Sequence, residues 1–183
     1  EVYKPCIGST VGYLMKLLKA AYGENISDAE TLRARMYAKK EEIVQKDGFP
    51  QIPGVKEAIK RLHDEGFRLE VASSSAGYYI GRVLDALEIR QYFECYTSGE
   101  EVEHPKPAPD TFLRAMEKLN LKPEDCIIVE DSTNGGKAAA AAGAKCVWFH
   151  NPDSGDQQIL HAVLTITSWS PENVDKLIDL MHA

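Results

Sequence analysis

The apolar positions of this chain change their spacing part-way along. In the first third they recur at helical intervals. Leu14, Leu17 and Leu18 share one face of a helix predicted to run from a Ser9 or Thr10 cap to about Tyr22. Ser27, with Glu30 three residues later, forms a capping box for a second helix that reaches about Lys46. Leu32, Met36, Ile43 and Val44 give that helix a narrow apolar stripe, and Arg33, Arg35, Lys39 and Lys40 crowd its remaining faces. Gly48, Pro50, Pro53 and Gly54 then break the pattern and mark a boundary.

Beyond the boundary, helices alternate with short apolar runs. Residues 55–65, 77–87 and 110–119 carry helical periodicity, whereas 67–72, 94–97, 126–129 and 145–149 are too short for helices and read as strands. A short helix near 157–161, a strand at 163–167 and a last helix entered through Ser170 and Pro171 complete the chain. This alternation predicts an α/β fold, with a parallel sheet wrapped by helices.

The most informative stretch is Cys126 to Lys145. A buried strand ends in the adjacent acids Glu130 and Asp131. Ser132, Thr133 and Asn134 offer capping oxygens, an alanine-rich helix follows, and Gly143 stops it. In an open α/β sheet, ligands bind at the carboxyl ends of the strands. A pair of acids there suits Mg²⁺, and it equally complements a helix N-terminus. Two further strands end in chemistry. One runs into Ser73 and Ser74, whose hydroxyls and backbone N–H groups can hold phosphate oxygens. The loop after the next carries Lys106, a positive charge for phosphate or a carboxylate. Parallel strands would bring these groups to one edge of the sheet.

Composition narrows the classes. The chain has 183 residues, 44% of them apolar and 27% charged, with a formal charge of −7. No basic patch interleaved with aromatics points to nucleic acid, and no apolar run reaches membrane-spanning length. Cys6, Cys95, Cys126 and Cys146 form no C-x-x-C pair and lack zinc-ligand spacing, so free thiols in a reducing cytoplasm are expected.

LEVASSS ending at Ser73, KPAPDTF from Lys106 and IIVEDSTNGGKAAAAAGA stand in an order that resembles the haloacid dehalogenase superfamily. The resemblance is greatest to its β-phosphoglucomutase-like branch. It implies a three-layer α/β/α Rossmann-like core over residues 49–183 and a partial helical cap over 1–48. Ser73 would bind the transferring phosphoryl group, Lys106 would steady it, and Glu130 and Asp131 would serve a Mg²⁺ site. Ser74 and Arg35 would help bind substrate. The implied function is hydrolysis of a small phosphorylated metabolite through an aspartyl-phosphate. A sugar phosphomutase is the alternative, although Gly8-Ser9-Thr10-Val11 lacks the arginine that mutases place in the cap.

One family element is missing. The apolar strand ending in Asp-x-Asp, whose first Asp is the nucleophile and second the general acid/base, is not found in this sequence. By resemblance that strand is central, between those ending at Ser73 and Glu130. The expectation is a vacant strand position between two apolar strands buried on both faces. An upstream segment or a second chain would fill it, and the sequence alone would be inactive. A signalling receiver domain fits less well, because its acids precede its lysine. A non-catalytic binding protein follows if no nucleophile is supplied.

Overall fold

A computed structural model describes residues 7–23 and 29–183, apart from the side chains of residues 29, 30 and 33. The Ser27–Glu30 capping box, Cys6 and the Arg33 side chain lie outside the described residues. Helix α1 (Val11–Tyr22) starts where the Thr10 hydroxyl accepts a hydrogen bond from the Tyr13 N–H at 3.3 Å, and it buries Leu14 and Met15. Helix α2 (Ala29–Asp47) follows, with Met36 37% and Ile43 49% exposed, so its apolar stripe is only partly covered.

The remainder alternates as predicted. The elements are α3 (Val55–Asp64), β1 (Glu70–Ser73), α4 (Gly77–Ala86), β2 (Cys95–Ser98), α5 (Asp110–Leu119), β3 (Ile127–Glu130), α6 (Thr133–Ala142), β4 (Lys145–Phe149), β5 (Leu164–Ile166) and α7 (Pro171–His182). All strand pairs are parallel, β1 with β2 and β3–β4–β5 in that order.

Alternation of side chains along the strands sorts the helices into two layers. Val147 and Phe149 of β4 join Ala58 and Leu62 of α3 and Val174, Leu177 and Ile178 of α7 in one core. Cys146, with Ile128 of β3, faces Phe112 and Met116 of α5 and Ala138, Ala139 and Ala142 of α6 in the other. The architecture is mixed α/β, with parallel strands between helical layers.

Two expectations fail. Residues 157–161 form no helix among the described elements. The Gln157 side chain instead accepts a hydrogen bond from the Thr133 N–H at 2.9 Å, and Ile159 is buried against α6, so tertiary contacts hold the segment open. Val129 of β3 is 36% exposed rather than buried on both faces.

The second failure has a structural cause. β1 and β3 do not pair. Between them runs a groove of about 460 Å³ lined by Leu69 and Ala72 from one side and Ile127, Ile128 and Val129 from the other. Glu70 and Trp169 also line it, and Glu70 Oε2 and Trp169 Nε1 are buried with no hydrogen-bond partner.

Candidate active site

A cleft of about 780 Å³ opens at the carboxyl ends of β1 and β3. Ser73, Ser74, Lys106, Glu130 and Asp131, far apart in sequence, all line it, as do residues of α1 and α2. Parallel β1 and β3 each deliver their last residues to this edge, and the loop after β2 brings Lys106 between them.

Lys106 is 4% exposed and is the pivot. Its ammonium donates to the Ala72 carbonyl at 3.0 Å and to Glu130 Oε1 in a very short ion pair, and it lies 4.2 Å from the Phe112 ring centroid. It therefore bridges the two strands that do not pair. Glu130 is equally committed: its Oε2 accepts from the backbone N–H groups of Asp131 and Ser132, both at 3.1 Å, and from the Ser132 hydroxyl at 2.9 Å. That carboxylate folds back over the first turn of α6, which only glycine at 135 permits, because any side chain there would collide with it.

Asp131 faces a different environment. Its Oδ2 accepts from the Ser154 hydroxyl and from Asn151 Nδ2 at 3.3 Å. Both donors belong to the short turn after β4, Pro152–Ser154 and its cap. They leave Oδ1 with no hydrogen bond among the described contacts, and Asp131 lines the cleft. Asp131 is therefore the acid whose carboxylate could take a Mg²⁺ ion, while Glu130 is bonded by Lys106 and Ser132. Among the described residues no cluster of three His, Cys, Asp or Glu side chains completes a metal shell.

The serines divide their work. Ser73 Oγ accepts from the Ser75 N–H at 3.2 Å, leaving its proton for a ligand. Ser74 Oγ donates to the Gly8 carbonyl at 2.8 Å, and Asn134 Nδ2 donates to the Ile7 carbonyl at 2.8 Å. These bonds dock the loop before α1 onto the cleft. Gly8 sits there at φ +76°, tight against Ser132, where a side chain would be both strained and obstructed.

The cleft wall on α2 differs from the sequence expectation. Arg35 is exposed and is not among the cleft-lining residues, whereas Met36, Tyr37 and Lys40 are. Met36 and Lys40 are four residues apart and share a face, and Arg35 is turned about 100° from Met36 around the helix. The Lys40 ammonium lies 3.5 Å from the Tyr79 ring centroid, and burial lowers its pKa. Lys40, Tyr37, Tyr79, Asn151 and Ser154 were not picked out in the sequence as site residues. Helical phase relative to Met36 was the available signal for Lys40; nothing local pointed to Asn151. His104 is exposed beside Asp110, its Nδ1 3.2 Å from Oδ2, and the His150 ring packs tilted against Trp148.

The chain is similar to known proteins in sequence and in fold. A family model described as Haloacid dehalogenase-like hydrolase matches residues 3–149. A phosphoglycolate phosphatase of Nitrosospira multiformis is 31% identical over 146 residues, covering 79% of this chain and 64% of that protein. Hexitol phosphatase B of Escherichia coli is 31% identical over 105 residues, covering 57% of this chain and 47% of that protein. In fold, CbbY of Rhodobacter sphaeroides, crystallised with phosphate, superposes with a TM-score of 0.77 at 22% identity, covering 92% of this chain and 78% of that one. The β-phosphoglucomutase of Clostridium difficile does so at 0.75 and 21%, covering 98% and 81%. With the family model spanning both the cleft and its supporting strands, this chain belongs to the haloacid dehalogenase-like hydrolases.

Proposed function

We propose that the chain forms the phosphate-binding half of a Mg²⁺-dependent phosphatase acting on a small phosphorylated metabolite. The observation that carries this reading is the meeting of Ser73, Lys106 and Asp131 in one cleft. Phosphatases of hexitol phosphates and phosphoglycolate among the relatives support hydrolysis over transfer. In this reading Ser73 donates to a phosphoryl oxygen and Lys106 supplies fixed positive charge beside it. Asp131 holds Mg²⁺, which when bound neutralises charge on the phosphoryl oxygens.

The nucleophile is the carboxylate of an Asp-x-Asp strand seated between β1 and β3, from an upstream segment or another chain. Its oxygen bonds to phosphorus as the ester oxygen leaves with a proton from the second aspartate. Water then cleaves the acyl phosphate, releasing inorganic phosphate and restoring the carboxylate. The carboxylates lining the cleft among the described residues are Glu100, Glu130 and Asp131, and Glu130 is held by Lys106, which favours a supplied nucleophile. Burial pushes the pKa of the Cys95 and Cys146 thiols up to about 11, which disfavours the thiolate that a cysteine nucleophile would need at neutral pH.

The test measures phosphate release from an aryl phosphate by residues 1–183 with and without a strand peptide ending in Asp-x-Asp. Turnover is expected only with the peptide and Mg²⁺, and Asp131→Ala should lower it by about a hundredfold or more. Undiminished turnover in Asp131→Ala, or full turnover without the peptide, would overturn the assignment.

A further inference from the structure

We propose that Asn151 and Ser154 are positioning residues for Asp131: the turn after β4 fixes the orientation of that carboxylate and so sets the affinity of the cleft for Mg²⁺; this rests on the phosphatase reading above, in which Asp131 holds the ion. Asp131 directly follows β3, and its own N–H is given to Glu130 at 3.1 Å. Among the described contacts its carboxylate is bonded only from Asn151 and Ser154, twenty and more residues downstream.

The register of the sheet brings that turn to Asp131. Trp148 of β4 lies beside Glu130 of β3, so the chain leaves β4 at the level of Asp131. The turn is stiff for local reasons. Pro152 restricts φ at its first position, the Asn151 N–H donates to the Phe149 carbonyl at 2.8 Å, and the Ser154 N–H donates to the Asn151 carbonyl at 3.1 Å.

The protons fix the direction of each side-chain bond. Asn151 Oδ1 accepts from the Asp153 N–H at 3.1 Å, so the amide nitrogen is the end that faces Asp131. Its two protons go to Asp131 Oδ2 at 3.3 Å and to Ser154 Oγ at 3.0 Å. Ser154 Oγ accepts from Asn151 and donates its single proton to Asp131 Oδ2. Three side chains thus close a ring in which each proton has its own acceptor, and both donors reach the same carboxylate oxygen. The turn takes Oδ2 and leaves Oδ1 for the ion.

Hydrogen bonds behind a ligand orient it, and their loss weakens metal binding. The sign of the effect separates this from a charge effect. A donor draws negative charge from the carboxylate, so if charge alone governed the ion, removing the donor would tighten binding. If orientation governs, removing it loosens binding.

Mn²⁺, a cation suited to the same oxygen donors, is the probe. Its dissociation constant is read by electron paramagnetic resonance on residues 1–183 with the Asp-x-Asp strand peptide present, without substrate or turnover. Ser154→Ala should weaken Mn²⁺ binding about tenfold or more. Ser154→Thr keeps the hydroxyl and should bind as the unaltered chain does. Asn151→Ala should also weaken binding, because it removes one donor and frees the Ser154 hydroxyl to turn away. Unchanged or tighter binding in Ser154→Ala, or a loss shared by Ser154→Thr, would overturn the positioning role and leave Asp131 standing as a ligand. No Mn²⁺ bound by the unaltered chain, or binding that survives Asp131→Asn, would overturn the metal assignment and the positioning role together.

Discussion

Lys106 shows how one side chain serves both fold and site. It is buried, bonded to the last carbonyl but one of β1 and paired with a Glu130 side chain only 10% exposed. Lys106→Met would leave that carboxylate charged, buried and without its cation. We expect a loss of about 3–5 kcal/mol, read by urea denaturation, with much of it recovered in Lys106→Met/Glu130→Gln because both charges are then gone. Glu70 offers a pH test. Burial raises its pKa, partly opposed by the Thr97 hydroxyl that donates to it at 2.6 Å. A carboxyl with a raised folded-state pKa binds its proton more tightly when folded, so its contribution falls as pH rises from the unfolded value toward the folded one. Glu70→Gln should therefore melt increasingly above the unaltered protein as pH is raised from about 4 toward the folded-state pKa of Glu70, and the difference should level off beyond it; a difference in melting temperature that does not change with pH would contradict this.

At the scale of elements, α6 is fixed at both ends and along one side. Ser132 caps it through the Gly135 N–H at 3.0 Å, Gly143 ends it at φ +79°, and the Glu130 carboxylate occupies the space beside residue 135. Alanine is normally the better helix former, so Gly135→Ala would stabilise an open helix. Here it should instead cost about 1–3 kcal/mol, since the buried carboxylate must move. Lys137→Ala, exposed on the same helix, serves as the control and should change the denaturation midpoint little. The caps and the glycine stop of α6 were legible in the sequence because they act within one turn. The fate of 157–161 was not, because Thr133 and the α6 surface, more than twenty residues upstream, decide it.

At the scale of the molecule, β1 and β3 are the unpaired facing strands of two separate sheets, β1–β2 and β3–β4–β5. An apolar strand peptide that enters the groove between them should raise the melting temperature with its concentration, by about 2.7 kcal/mol of stability at a hundredfold excess over its Kd. Val129→Lys distinguishes this from non-specific binding. Residue 129 is 36% exposed, so the lysine should be tolerated in the chain alone yet abolish the gain from the peptide. An unchanged gain in that variant would mean the peptide binds elsewhere.

The sequence by itself determined what depends on neighbours along the chain. Periodicity gave the order of helices and strands, caps and glycines gave most of their limits, and the strand ends marked Ser73, Lys106 and Asp131 as convergent, because parallel strands of one sheet share an edge. The tertiary structure decided what depends on neighbours in space. It turned Lys40 rather than Arg35 toward the cleft, since helical phase against a partner is fixed only by packing. It gave Glu130 to Lys106 and left Asp131 open, because two adjacent acids at the end of a strand point in different directions and meet different donors.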